Sequence, residues 1–412
     1  MTLAGEVRES LRRQPSDALL PLLRRGQGIE VIDVEEVAAL GSDGAVAAAR
    51  TVDGRRLHVP LVRDGEWRRA EAADGISARL QDADAPIIVD IREEPPALTG
   101  SQERSLAVDM TNDVRVIDDA VVAKWQLFGE AGSLAGPRVV AHLAANGFID
   151  MPRPLATVTW HDELLASLSA YLPGAEDGWD WMLRDVADYL TGSADSPQWA
   201  RDLGLVTARM HACSATPSHV ISAPVSRGDL RPLAAHYRRL LDAIDGLDDD
   251  LHQALAPWGH RLEDAARVLA GAEDVELIPL HGDLHAGQFL RSPDTLVIND
   301  FDGNPLLPPE QRGAPGPTAH DVAGLLRSLD HVAIAAARRV EDPSALRRAR
   351  EWAAQARDEA LGAYASQDGV PALDMEILSA LESLSPLHEA VYAATYLPRW
   401  RYVPLAVLAG GW

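Results

Sequence analysis

Hydrophobic and polar positions fall into three regimes along the chain. From Leu3 to Arg25 a polar-capped amphipathic run predicts a helix, and short strands are expected at Ile29–Val34, Val46–Val52 and Arg56–Leu61, with Gly54 and Gly65 marking turns. Strands then continue at Ile87–Ile91, Leu106–Met110, Val114–Ile117, Ala120–Trp125, Leu155–Thr159 and Leu164–Tyr171, with one helical stretch over Gly136–Leu143. Beyond Trp179 the pattern is mainly helical, broken from Glu276 to Gly303 by short apolar strands and polar loops. No internal repeat is visible. These regimes divide the chain into a small α+β cap at residues 1–90, a mostly β portion at 91–172 and a mainly helical portion at 173–412.

The break in the helical region holds the chemistry. His281-Gly-Asp-Leu-His-Ala-Gly-Gln-Phe-Leu290 is followed, after one short strand, by Ile298-Asn-Asp-Phe-Asp-Gly303. The first loop offers a carboxylate, Asp283, and an amide, Gln288; the second turn adds Asp300 and Asp302. Phosphoryl transfer from a nucleotide needs such parts: a carboxylate to orient the acceptor hydroxyl and take its proton, and oxygens that hold Mg²⁺ against phosphates. Asp302 is placed to bind a second Mg²⁺ or to orient the acceptor. His285 is expected either to face the acceptor or to pack the loop, and His211 to be a core histidine.

Lys124 is the only lysine in the chain; every other basic side chain of this type is arginine. It stands in the apolar run Val121-Val-Ala-Lys-Trp125. A compact ammonium on a flexible stem does what a planar guanidinium cannot, so Lys124 is the candidate phosphate-binding residue. The turn Met110-Thr-Asn-Asp-Val114 is a candidate phosphate cover, although without glycine it reads equally well as an ordinary hairpin turn.

Bulk properties narrow the classes. One cysteine, Cys213, leaves no disulfide framework, as expected in a reducing cytoplasm. No apolar run approaches a membrane span, and the N-terminus lacks a signal-peptide core. A formal net charge of −24 disfavours nucleic-acid and anionic-membrane partners and favours a cationic small-molecule acceptor. A monomer is the working expectation. Spacings for structural zinc, a Gly-x-Ser-x-Gly elbow and a Gly-x-x-x-x-Gly-Lys loop are all missing.

These residues resemble the aminoglycoside-phosphotransferase-like branch of the protein-kinase fold, and within it the maltokinase-related sugar kinases of actinobacteria, which include glucosamine kinases. Further segments carry the resemblance: Tyr171-Leu-Pro-Gly-Ala-Glu-Asp-Gly-Trp179, Leu203-Gly-Leu-Val-Thr-Ala-Arg-Met-His211, Asp321-Val-Ala-Gly-Leu-Leu-Arg-Ser328 and Glu389-Ala-Val-Tyr392. The resemblance implies an α+β, bilobal kinase-like fold with an N-terminal cap. It further implies ATP and Mg²⁺ as cofactors, Asp283 as catalytic base, Gln288 and Asp300 as metal ligands and Lys124 on the phosphates. Adenine is then expected at the hinge formed by Ala170, Tyr171 and Leu172, and His281, two residues before the base, is expected to brace the loop as its equivalent does in kinase-like folds.

Three departures bear on function. Gln288 stands where the wider fold has asparagine. The helix after Lys124, Gly136–Leu143, contains no acid to pair with it, and Glu130 is poorly placed. Ala393 and Leu397 follow Tyr392 and Tyr396 where maltokinases carry glutamates. Glucosamine, phosphorylated on its 6-hydroxyl, is therefore the first expectation for the acceptor. Its ammonium would meet a rim drawn from Asp302, Glu310 and Asp321, and its ring would meet Tyr396, Trp400 or Trp412. Maltose, giving maltose 1-phosphate, is the second expectation and an aminoglycoside the third. A non-catalytic kinase-like binding protein is the alternative from another class.

Overall fold

The computed structural model describes every residue except 1, 22–23, 84, 107–111, 131, 248, 305–306, 308, 341, 343, 396–400 and 412. The chain forms two compact units, residues 1–141 with 152–173, and residues 142–151 with 174–412.

In the first unit, helix α1 (Leu3–Arg12) packs on a meander of β1 (Val31–Ala39), β2 (Gly44–Thr51), β3 (Arg56–Asp64) and β4 (Glu66–Arg69). The helix expected to reach Arg25 stops early because Pro15 has no N–H to continue it, and a 3₁₀ turn follows at Ser16–Leu19. Strand β1 runs on past Val34, and two register irregularities against β2 disrupt the alternation that would have revealed its length. Strand β2 is covered on both faces. Ala45, Ala47 and Ala49 join Val7 and Leu11 of α1, while Val46 and Ala48 join Trp125, Val158 and Trp160 of a second sheet. Double burial explains its nearly unbroken apolar run.

That second sheet comprises β5 (Ile87–Ile91), β6 (Glu103–Ser105), β7 (Asp113–Ile117), β8 (Val121–Trp125), β10 (Pro154–Trp160) and β11 (Glu163–Ala170), in the spatial order β5-β10-β11-β8-β7-β6. The short β9 (Phe128–Gly129) pairs instead with β3. Strand β6 ends at Ser105, ahead of the expected Leu106–Met110; residues 107–111, and with them part of the Met110–Val114 turn, lie outside the described residues. Strand β8 is interior, with Lys124 opposite Ser167 of β11 and Val114 of β7.

Helix α2 (Ala135–Ala145) ends in the second unit, which continues through β12 (Glu176–Asp177), α3 (Gly178–Thr191), α4 (Ala200–Ala215) and β13 (Ser226–Gly228). Next come α5 (Arg231–Asp242), α6 (Asp249–Leu255), α7 (Gly259–Gly271), β14 (Val275–Leu277), β15 (Phe289–Arg291) and β16 (Leu296–Ile298). The chain closes with α8 (Pro309–Arg312), α9 (Ala319–Arg339), α10 (Ala345–Ala365), α11 (Met375–Thr395) and α12 (Tyr402–Ala406). Trp199 makes edge-on contacts with Trp181 and Trp352, at 5.1 and 5.4 Å between ring centres, tying α3 and α10 together. Among the described residues, no helix is long and apolar enough to cross a membrane. This α+β organisation is the one the sequence predicts.

Candidate active site

Strands β15 and β16 form a hairpin with Phe289 opposite Ile298. Gln288 directly precedes the first strand and Asn299-Asp300 directly follow the second, so the register brings the amide and the carboxylate to the same end. The Asn299 N–H donates to the Gln288 carbonyl at 2.8 Å, adding one rung to the ladder. Asp300 then takes a left-handed conformation, φ 64°, which Asp adopts more readily than most residues. Gly303 closes the turn at φ +76°, where an added Cβ would lie 2.7 Å from the Arg312 carbonyl oxygen.

His281 holds the two loops together. The Asp283 N–H donates to His281 Nδ1 at 3.3 Å, so that nitrogen is the acceptor and Nε2 carries the proton. Nε2–H in turn donates to the Asn299 carbonyl at 2.9 Å. Its ring also packs at 4.8 Å on Phe301, between the two acidic residues of the second turn. Both nitrogens are committed to backbone, which makes the bracing role concrete.

Behind the loop lies Asp321, at the start of α9 and fully buried. Its two oxygens accept the N–H groups of His281 and Gly282, each at 2.9 Å. His211 Nε2–H donates to Oδ2 at 3.1 Å, and Tyr364 O–H donates to His211 Nδ1 at 2.8 Å. Burial pushes the Asp321 carboxyl up, but the imidazoles of His211 and His320 outweigh it and hold the group well below the usual carboxylate range. The expectation that Asp321 rims the acceptor is therefore corrected: its oxygens are spent on holding the backbone ahead of Asp283. His211 is the core histidine that its helix position suggested.

Asp283 itself is half-buried. Burial pushes its carboxyl up to about 7, and the Asp300 carboxylate adds to that rise. A divalent cation beside Asp300 would lower it again. His285 is exposed, with Nδ1 accepting from the Gly287 N–H at 3.1 Å. Its neutral ring must then be protonated on Nε2, which lies 3.3 Å from the Gln288 amide terminus. The amide turned with its oxygen toward that proton satisfies both groups and keeps one lone pair for a cation. His285 thus packs the loop while remaining open to solvent.

The loop also rests on α9 from below. A Cβ at Gly324 would sit 2.3 Å from the Leu284 carbonyl oxygen, so only glycine lets helix and loop approach this closely. Gly324→Ala is expected to destabilise the protein by about 1–3 kcal/mol through overpacking. Because the displaced segment carries Asp283, kcat should fall at temperatures well below the new melting point. Thermal melting and steady-state rates on the same preparation check both halves.

Among the described residues, no three His, Cys, Asp or Glu side chains form a metal-binding group. Magnesium does not require one: it keeps several waters and takes one or two protein carboxylates plus phosphate oxygens, so Gln288, Asp300 and Asp302 are a fitting hard-oxygen set. Lys124 and the Ala170–Leu172 segment belong to the first unit, where the Tyr171 N–H donates to the Ala120 carbonyl at 2.8 Å and its hydroxyl accepts from Arg104 at 2.9 Å. Tyr396, Trp400 and Trp412 lie outside the described residues, and Glu310 lies in α8. Sequence reasoning missed Asn304, whose amide meets His388 Nε2 of α11 at 3.0 Å. Glu389, noted only as part of a family segment, accepts from Ser385 at 2.9 Å and lies 2.9 Å from His331 Nε2. Nothing local in the chain announces the Asn304–His388 and His331–Glu389 pairings.

No family model matches the sequence. The chain is 37% identical over 393 residues to a glucosamine kinase of Streptacidiphilus jiangxiensis, covering 89% of this chain and 88% of that one. It is 36% identical over 384 residues to a glucosamine kinase of Mycolicibacterium smegmatis, covering 85% and 92%. A solved glucosamine kinase superposes with a TM-score of 0.82 at 33% identity, over 99% of this chain and 97% of that one. Another, in complex with glucosamine, ADP and inorganic phosphate, gives 0.76 at 32% identity over 100% and 99%. The α+β, kinase-like fold and the full-length likeness agree, and the chain belongs to the glucosamine kinase family.

Proposed function

We propose that the protein transfers the γ-phosphoryl group of ATP to the 6-hydroxyl of D-glucosamine. The observation that carries this reading is the end-to-end likeness to a kinase solved with glucosamine, ADP and phosphate. The placement of Asp283, Gln288 and Asp300 about one braced hairpin supports it. The net charge of −24 suits a cationic sugar over a neutral one.

Asp283 accepts a hydrogen bond from the acceptor hydroxyl, aligns it for in-line attack and receives its proton late, because the transition state is loose. Gln288 and Asp300, with Asp302 beside them in sequence, are assigned to Mg²⁺, which when bound offsets charge on the phosphate oxygens. Lys124 supplies an ammonium for the nucleotide phosphates, and Ala170, Tyr171 and Leu172 are assigned to adenine. Asp302 and Glu310 remain the acidic candidates for the glucosamine ammonium, and charge-assisted hydrogen bonding there would discriminate against neutral sugars. The division into a cap at 1–90, an intermediate portion at 91–172 and a helical lobe at 173–412 is part of the same reading. So is a cytoplasmic location, where ATP is supplied.

Incubating the enzyme with glucosamine and Mg·ATP and mapping phosphorus–proton couplings in the product tests the site of transfer. Coupling to the C6 protons is expected; coupling at the anomeric proton would overturn the assignment. Lys124→Arg should cut kcat/KM for ATP by about tenfold although charge is kept. An unchanged value would remove the significance attached to the single lysine.

A further inference from the structure

A chain of buried polar side chains in the first unit has no part in the chemistry described so far. Arg69 of β4 pairs with Asp113 of β7, and Arg115 of β7 donates to Asp113 at 2.8 Å and to Glu103 of β6 at 3.0 Å. Glu103 also accepts the Ser77 hydroxyl at 2.8 Å and the Ser77 N–H at 3.0 Å. The chain ends on strand β8, where the Trp125 indole N–H donates to Ser77 Oγ at 2.8 Å. All six residues are less than 10% exposed. Two cations balance two anions, so the network is neutral. Arg115 additionally donates to the Ala70 carbonyl at 2.7 Å, stitching β7 to the segment that follows β4.

Buried ion pairs are weak contributors to net stability, since apolar residues of the same volume often do as well. What such a network does supply is a fixed geometry, and here it ends one residue from Lys124. Successive strand residues point to opposite faces. Burial along β8 alternates accordingly, with Trp125 buried and Lys124 partly open. Cross-strand partners share a face: Asp113 lies opposite Trp125 and Arg115 opposite Ala123, whereas Val114 lies opposite Lys124. The network therefore grips one face of β8 and leaves Lys124 projecting from the other.

We propose that Ser77, Glu103 and Trp125 are positioning residues that hold strand β8 so that Lys124 meets the nucleotide phosphates. On this view the N-terminal sheet acts as a fixed brace for nucleotide binding, transmitted through Arg69, Asp113 and Arg115. The inference rests on the assignment of Lys124 to the phosphates.

A double-mutant cycle on the full-length enzyme tests it. Calorimetry gives the Mg·ADP dissociation constant for Trp125→Phe, Ser77→Ala, Lys124→Met and the Trp125→Phe/Lys124→Met pair. Melting curves and the glucosamine KM of the network variants accompany it. Trp125→Phe, which removes one hydrogen bond, should weaken Mg·ADP by about fivefold, and Ser77→Ala, which removes two, by at least as much, with the glucosamine KM changed by less than about twofold. Lys124→Met should weaken Mg·ADP further, and adding Trp125→Phe to it should then change nothing, because the residues act through the same ammonium. Equal factors in both backgrounds, or a lowered melting point with unchanged nucleotide affinity, would reduce the network to a structural element. Unchanged affinity in Lys124→Met would instead overturn the Lys124 assignment, and the inference with it.

Discussion

Asp283→Asn is expected to lower kcat by about a thousandfold while Mg·ADP affinity changes by less than about twofold. On the proposed mechanism this carboxylate takes the acceptor proton, and asparagine keeps its shape while losing the acceptor charge. Its neighbours do not depend on the side chain: the Asp283 N–H, not the carboxylate, binds His281, and His281 is tied to Asn299 by its other nitrogen. The substitution should also leave the fold intact or firmer. The folded-state pKa is raised to about 7 by burial, above the unfolded value near 4. The folded protein thus retains a proton that the unfolded chain releases between about pH 4 and 7, and stability conferred by that proton is lost as pH rises through this window. Asparagine cannot ionise, so the Mg-free variant at neutral pH should melt no lower than the parent enzyme. Lost activity with a lowered melting point would make Asp283 a structural residue.

Asp321→Ala should have the largest effect on stability. It strips the acceptor from two backbone N–H groups and from His211 in a fully buried site, and removing one partner from such a cluster costs about 3–5 kcal/mol. Asp321→Asn is milder, about 1–3 kcal/mol, because its amide nitrogen faces one of three donors where an oxygen is needed. Since the Asp321 pKa is depressed in the folded state, its contribution is fully present above the unfolded value near 4. The contribution is lost only as pH falls through the lowered folded value. Chemical denaturation at neutral pH and at pH 5 should therefore give the same difference between Asp321→Asn and the parent. For either variant that folds, kcat should fall with the glucosamine KM nearly unchanged, because the loop carrying Asp283 has lost its anchor.

What was legible in the sequence was local. Asp283, Gln288 and Asp300 sit within one loop–hairpin–turn, so their order and spacing alone set out the candidate chemistry. Lys124 stood out by composition, as the one lysine in the chain. The α+β organisation followed from periodicity, and the errors in individual elements have local causes. Pro15 shortened a helix, and bulges in β1 concealed an extension through Glu35 and Glu36. Asp321 was misread because an acid at the start of a helix looks solvent-facing in sequence. Its partners lie 40 residues away at His281 and 110 away at His211, and Tyr364 lies 153 residues beyond His211. The Arg69–Asp113 pair spans 44 residues on the same terms. Charged residues that bury each other across elements carry no periodic signature, so only the folded chain reveals them.

ADP release with Mg·ATP across glucosamine, glucose, maltose, N-acetylglucosamine and one aminoglycoside tests the central claim most directly. Turnover with glucosamine, and little with the neutral sugars, is expected. Preferred turnover of maltose, or no turnover of glucosamine by a folded enzyme that binds Mg·ADP, would contradict it.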